Sequence, residues 1–316
     1  MSMSIIILLA FLLDMILGDP VRPTHPVVII GKLIDSFEKN LRKLFKTSRG
    51  LKTAGVILWF ATVLLVYIAT YCIIKTTYKF NPWFGYVTNI WLIYTTLSVR
   101  NLADEAMGIY HEIRKSNIGS ARKRLSFIVG RDTADMPVNE ICRATIETVA
   151  ENTIDGIISP LLYAFIGGAP LAMAYKAVNT LDSMVGYKNE KYEFLGWFSA
   201  HMDDLANFIP ARIGGILMLM AATVIRLDIK RGIKTVLADA KKHKSPNSGI
   251  PEAITAGVLG IRLGGWNSYG GEMSFREYMG EKLREIEAED IKTTVKLSFI
   301  TAIIALIIGE IILDII

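Results

Sequence analysis

The chain has 316 residues, 52% of them hydrophobic and 21% charged, with a mean hydropathy of +0.38. This balance is too apolar for an ordinary soluble domain and too charged for a bare helix bundle, so membrane spans must alternate with substantial polar segments. The formal net charge of +5 sits mostly in basic loops, which near a bilayer set topology and meet anionic lipid, so nucleic-acid binding need not be invoked.

The apolar run Ile5–Leu17 is shaped like a signal-peptide core. No Lys or Arg precedes it, no small-residue cleavage site follows it, and Asp14 and Asp19 interrupt it, so it is read as a retained first helix. Gly18-Asp19-Pro20 and His25-Pro26-Val27 come next. A lone His beside Pro is ordinarily a turn residue. Five further apolar stretches, 54–74, 84–99, 157–175, 208–225 and 295–313, approach the roughly 20 residues that cross a bilayer. The third is interrupted by Ser159-Pro160 and Gly167-Gly168-Ala169-Pro170, which predicts a broken or re-entrant segment. If all six cross, Lys and Arg number 8 in 18–53, 2 in 75–83, 8 in 100–156, 3 in 176–206 and 12 in 226–293. That alternation puts the first, third and fifth loops in the cytoplasm and both termini outside.

Residues 102–125 read as one amphipathic helix. Asp135-Met136-Pro137 has the cap-then-proline chemistry that starts another, running from about Pro137 to Asp155, where Gly156 ends its polar part and the apolar segment Ile157–Tyr175 follows directly. No stretch shows strand alternation with hairpin turns. The expected fold is an all-α, polytopic integral membrane protein of about 4–6 transmembrane helices, some broken or re-entrant, with cytoplasmic amphipathic helices, forming one domain over 1–316. Two cysteines, Cys72 and Cys142, give neither a disulfide framework nor a cysteine metal site. His111, His201 and His243 lack companions at zinc spacing.

Several strings could carry chemistry. Glu147, Glu151 and Asp155 fall at i, i+4 and i+8 of a helix that is otherwise largely apolar, so they form one ridge. Stacked carboxylates near a membrane point to a cation or substrate site, and Mg²⁺ favours such oxygens together with phosphate; a solvated acidic face is the bland alternative. Asn179 with Asp182, and Asp203 with Asn207, share helix faces beside Asp204 and offer further oxygen ligands, or simply caps and a polar loop. Arg212, inside the apolar run 208–220, calls for a buried anion or carboxylate partner. Ser245-Pro246-Asn247-Ser248-Gly249-Ile250-Pro251-Glu252 precedes an Ala/Gly-rich helical pattern through Gly265 and resembles an anion cradle, as any capped helix does. Arg131-Asp132-Thr133 would place a guanidinium on phosphate or cap a turn.

Taken in order, the strings DMILGDP with HPVVIIGKLI, GRDT, ETVAENTIDGIISPLLY, KAVNTLDSMVGY, DDLANFIPAR and SPNSGIPEAITAGVLGIRLGG resemble the CobD/CbiB family of cobalamin biosynthesis, the adenosylcobinamide-phosphate synthases. The resemblance runs nearly end to end. It implies a multi-pass cell-membrane enzyme that joins adenosylcobyric acid to (R)-1-aminopropan-2-yl phosphate, or a related amino alcohol, in an ATP-dependent amide ligation. It implies Mg²⁺ as cofactor and ATP as cosubstrate. The partners it implies are the corrinoid, the amino alcohol phosphate, the lipid bilayer and other membrane cobalamin-assembly enzymes, with no nucleic acid. On that reading Glu147, Glu151, Asp155 and Asp204 are the catalytic candidates. Glu147, Glu151, Asp182, Asp203 and Asp204 are the metal ligands. His25, Arg131, Asn152, Arg212, Ser245, Asn247, Ser248 and Gly249 hold substrate or phosphate. The chain has no GxxxxGK[ST] loop, so nucleotide binding is not of the P-loop kind.

Two other readings compete. A membrane prenyltransferase would use N-x-x-D and DD-x-x-N to hold Mg²⁺-diphosphate, and it gives SPNSGIPEA no role. A cation-coupled transporter would carry its acids inside spans rather than at their ends.

Overall fold

A computed structural model describes residues 1–18, 24–187 and 189–315. Asp19 and Pro20 of the GDP string lie outside them. The helices are α1 (Met3–Leu17), α2 (Pro26–Leu44), α3 (Ser48–Phe80), α4 (Pro82–Tyr94), α5 (Val99–Arg114), α6 (Ile118–Leu125), α7 (Val138–Thr153), α8 (Ser159–Val185), α9 (Trp197–Val224), α10 (Ile229–Asp239), α11 (Gly249–Leu259) and α12 (Ala288–Ile315). A hairpin of β1 (Leu263–Tyr269) and β2 (Glu272–Met279) follows α11. The chain divides into two compact units, Met1–Ser98 with Ser159–Asn207 and Ile308–Ile316, and Val99–Ile158 with Phe208–Ile307.

In the first unit α3 packs on α8, α4 and α2. Its 33 residues reach about 50 Å at the helical rise, more than a bilayer core needs. Its buried positions Ala54, Gly55, Leu58, Trp59, Thr62, Val66 and Thr70 recur every three or four residues as a single stripe. Ile57, Phe60, Leu64, Leu65 and Ile68 on the remaining surface are exposed and apolar. A helix apolar all round with one packed stripe faces lipid on its other sides. Gly55 lets that stripe approach closely, since a Cβ there would lie 2.1 Å from the Leu195 carbonyl oxygen. α8 breaks at the expected place: Gly168 has φ 63 and ψ −159, Gly167 is also non-helical, and Pro170 follows. Only glycine adopts the Gly168 conformation freely.

Among the described residues, four helices are long and apolar enough to cross a membrane, namely Ser48–Phe80, Val138–Val185, Trp197–Val224 and Ala288–Ile315. The stretch 84–99 is not among them. Its helix α4 has 13 residues, about 20 Å, too short for a simple crossing. The protein is thus an all-α polytopic membrane protein, with four candidate spans among its described residues.

The second unit departs from expectation in four places. Residues 102–125 form two helices, because Ser116 takes φ 59 and the Asn117 side chain caps α6 at the Ser120 N–H. Asp135 does not cap α7, whose N-cap is Pro137 without a side-chain bond. The helix does not stop near Asp155, since α7 gives way at Ile154 to a π-helical turn, Ile154–Ile158, that continues into the apolar α8. The helical pattern expected through Gly265 stops at Leu259, where Gly260 takes the left-handed conformation, and an unexpected hairpin follows. Gly270 and Gly271, both with positive φ, make the two-residue connection that suits a twisted hairpin. Trp266 pairs with Phe275, and a bulge between Leu263 and Gly265 shifts the register.

Candidate active site

Each unit carries a polar cluster that gathers expected site residues. In the first, Asp203 and Asn207 share a face of α9 as their spacing requires, and the Asn207 amide donates to Asp203 at 3.0 Å. Asn179 on α8 donates to the other Asp203 oxygen at 3.5 Å. Asn207 is oriented in turn by the hydroxyls of Ser159 at 2.6 Å and Tyr175 at 2.9 Å. Tyr163 stacks on Tyr175 with centroids 4.9 Å apart and donates to the Ala206 carbonyl. Asp182 and Asp204 lie within electrostatic range of Asp203, so the N-x-x-D and DD-x-x-N strings do converge. Gly186 makes room, as a Cβ there would sit 1.9 Å from an Asp182 carboxylate oxygen. Elsewhere in this unit His25 is the N-cap of α2 and its Nδ1 accepts from the Val27 N–H at 3.4 Å.

In the second unit the carboxylate ridge is resolved into distinct environments. Glu147 is 1% exposed. It accepts from Arg131 at 2.5 Å, Arg143 at 3.1 Å and the Gly264 N–H at 2.8 Å, and Arg276 stands 3.5 Å away. Three guanidiniums close over it, so the expected role of Glu147 as an open metal ligand does not fit. Arg143 reaches it from one turn back on α7, Arg131 from the GRDT loop and Arg276 from β2. Gly264, with φ 85, brings its N–H in because a Cβ there would lie 2.3 Å from the Glu277 carbonyl oxygen.

Glu151 is half-buried and accepts from the Ser248 hydroxyl at 2.9 Å, which joins α7 to the Ser245–Gly249 loop. Asn152 turns back to donate to the Thr148 carbonyl. Asp155 lies in the π turn, a feature frequent at functional sites. The Ser245 hydroxyl accepts from the N–H groups of Asn247 at 3.3 Å and Ser248 at 3.5 Å, so these two groups of the expected anion cradle serve the loop itself. Gly249 is needed for packing, as a Cβ there would meet the Ala240 carbonyl oxygen at 2.2 Å. Arg212 has no carboxylate within ion-pair distance among the described residues. It donates to the Phe208 carbonyl at 2.5 Å and to Asn247 at 3.3 Å, and its guanidinium lies 3.4 Å from the Phe208 ring centroid.

Sequence reasoning missed Glu252, Arg276 and Arg143, and named Asp132 only within a string that could cap a turn. Glu252 on α11 is 0% exposed, with Arg276 at 2.7 Å and His243 at 3.7 Å. Burial, against the pull of Arg276 and with help from the nearby charges of Glu147 and Glu151, pushes its carboxyl up to about 8. Burial and Arg276 push His243 below its ordinary value. Asp132 clasps the hairpin tip: it accepts from Ser268 at 2.5 Å and from the N–H groups of Gly270 and Gly271 at 3.0 and 2.8 Å, while its own N–H donates to the Ser268 carbonyl. The Ser268 hydroxyl, followed by these N–H groups, holds the Asp132 carboxyl below the usual range. Only Arg143, at i−4 from Glu147, carried a readable signal.

Between the GRDT loop, the start of α7 and the hairpin lies a cavity of about 1200 Å³, lined among others by Arg131, Arg143, Arg262, Trp266 and Tyr278. Arg262 stacks 4.1 Å from the Tyr278 ring centroid.

Among known proteins, the chain matches the family model described as CobD/Cbib protein over residues 7–298. It is 43% identical over 297 residues to the cobalamin biosynthesis protein CobD of Klebsiella pneumoniae, covering 94% of this chain and 93% of that protein. It is 44% identical over 298 residues to CbiB of Salmonella typhimurium, with coverage of 94% and 93%, and 45% identical over 305 residues to CobD of Clostridium tetani, with coverage of 96% and 95%. No solved structure matches it.

Proposed function

We propose that this chain, which belongs to the CobD/CbiB family and so has a role in cobalamin biosynthesis, is a cell-membrane ligase joining adenosylcobyric acid to (R)-1-aminopropan-2-yl phosphate or a related amino alcohol. In the reaction a carboxylate oxygen of the corrinoid takes the γ-phosphoryl group of ATP, releasing ADP. The amine nitrogen then attacks the acyl carbon, the C–O bond to phosphate breaks, and inorganic phosphate and a proton leave with adenosylcobinamide phosphate as product. The observation that carries this reading is the cavity of about 1200 Å³, above the roughly 300–1000 Å³ of pockets for drug-sized ligands. Its cationic and aromatic wall suits a bulky, flat, amide-fringed ligand together with phosphate groups.

The oxygen donors Asp182, Asp203 and Asp204 with Asn179 suit Mg²⁺, which characteristically takes one or two carboxylates together with substrate phosphates. Among the described residues no three His, Cys, Asp or Glu are grouped so that they could hold a metal ion by themselves, so in this reading substrate phosphate oxygens complete the coordination. When bound, that ion neutralises triphosphate charge. Glu147 is assigned instead to seating the arginines. Glu151, Asp155 and Asp204 are the acids left to take the proton of the attacking amine.

The test is to incubate detergent-solubilised protein with adenosylcobyric acid, aminopropanol phosphate and MgATP, and to look for the amide by mass spectrometry. Amide formed only with ATP supports the reading. A folded protein that forms none refutes it, and turnover of a polyprenyl diphosphate or ion flux without product would favour the competing readings.

A further inference from the structure

One corner of the second unit's cavity is left unused by the ion-pair network. Arg143, on its wall, is fully committed: it serves Glu140 and Glu147 and donates to the Trp266 carbonyl at 3.0 Å and the Asn267 side chain at 3.1 Å. Arg131 is not. Its side chain is only 7% exposed, one nitrogen is held by Glu147, and its Nη1 is buried without a hydrogen-bond partner among the described residues. A guanidinium presents two edges, and a buried donor is ordinarily paired.

The surrounding charges point to the partner's sign. The cavity is lined by seven Lys or Arg against four Asp or Glu. Pairing removes Arg143 with Glu140 and Glu147, Lys282 with Glu285 and Arg284 with Asp290, which leaves Arg122, Lys123 and Arg262 beside Arg131 against Asp132 and Asp135. The wall therefore presents net positive charge to whatever enters.

We propose that Arg131, with one edge seated on Glu147, offers its other edge to the phosphate monoester of a substrate. A monoester is a compact dianion with three acceptor oxygens, which matches a planar fork in a net-positive wall better than a monovalent carboxylate does. Glu147 is then a positioning residue that fixes the fork. The amino alcohol phosphate carries such a monoester, and the γ-phosphoryl group of ATP, though held through an anhydride, presents the same three-oxygen dianion. Only the naming of these two sources rests on the ligase reading; the anion site itself does not.

The experiment is equilibrium dialysis on the full chain in detergent, with (R)-1-aminopropan-2-yl phosphate, its dephosphorylated alcohol and ATP as separate probes. Arg131→Gln leaves Glu147 with Arg143 and Arg276, and Arg131→Lys keeps the ion pair without the fork. At least one phosphate-bearing probe should bind the wild type, the free alcohol should bind both proteins alike, and Arg131→Gln should weaken the phosphate probe by about tenfold or more. Arg131→Lys should lose most of that affinity. A loss confined to aminopropanol phosphate assigns the site to the amino alcohol, and a loss confined to ATP assigns it to the nucleotide. Equal affinity in wild type and both variants, or no binding of either phosphate probe to the wild type, overturns the proposal. If Arg131-dependent binding holds while no amide forms, the ligase reading fails and the anion site stands. Amide formation with unchanged KM for both phosphate substrates in Arg131→Lys would remove the anion site and leave the ligase.

Discussion

Replacing Glu147 with Gln tests whether this residue holds the second unit together or awaits a cation. The carboxylate is 1% exposed, with two guanidiniums at 2.5 and 3.1 Å, a third at 3.5 Å and a main-chain N–H at 2.8 Å. Gln can keep one acceptor, but it turns an amide toward the arginines and deletes the negative charge. Breaking a buried pair from one side costs about 3–5 kcal/mol, against total stabilities of about 5–15 kcal/mol. At about 2–4 °C per kcal/mol this lowers the melting temperature by roughly 6–20 °C. Cys142 reports the transition, since it is buried at 1% exposure on the same helix. In a Cys72→Ser background it is the one remaining thiol, and a thiol-reactive fluorophore labels it as the unit opens. A melting temperature within about 2 °C of the parent, or above it, would refute the assignment, because a carboxylate lacking its cation is relieved when neutralised.

Glu151→Gln and Asp204→Asn should each abolish turnover while leaving the Cys142 melting curve in place; near-normal rates in both would remove the carboxylate argument. Asp132→Ala should free the hairpin tip held through Ser268, Gly270 and Gly271, so that limited proteolysis cuts near 268–273 faster than in wild type, and unchanged cleavage would mean the clasp does not restrain the strand connection. Glu252 ionises at about 8 when folded against 4.5 for an ordinary Glu. Its raised value means the folded state binds the extra proton, so its contribution to stability is fully present below about 4.5 and is lost as pH rises toward 8. Melting temperature should therefore decline across that window in wild type and decline less in Glu252→Gln; identical slopes would refute the shift.

Much of the fold was legible because the signals were local. The all-round apolarity of α3, the Gly-Gly-Ala-Pro break in α8 and the i, i+4 pairing of Asp203 with Asn207 each follow from helix geometry over a few residues. The second site was less legible because its partners come from distant segments. Glu147 reads as one of three equivalent acids on a ridge, and nothing along α7 tells that the GRDT loop and β2 deliver Arg131 and Arg276 onto it alone. β2 was itself hidden, since its alternation from Met273 to Arg276 is short and the glycines from Gly260 to Gly265 before the hairpin look like the end of a helix. Glu252 sat inside a string read as a phosphate cradle, and only its burial reveals it as a titratable group. The helix 102–125 failed at Ser116, whose positive φ carries no sequence mark.

The most direct test of the ligase reading follows an isotope. Adenosylcobyric acid labelled with ¹⁸O in the reacting carboxylate, supplied with aminopropanol phosphate and MgATP, should give amide and inorganic phosphate in equal amounts, with one ¹⁸O atom in each phosphate formed. Amide formation without ATP, label absent from phosphate, or no amide from folded protein would contradict it.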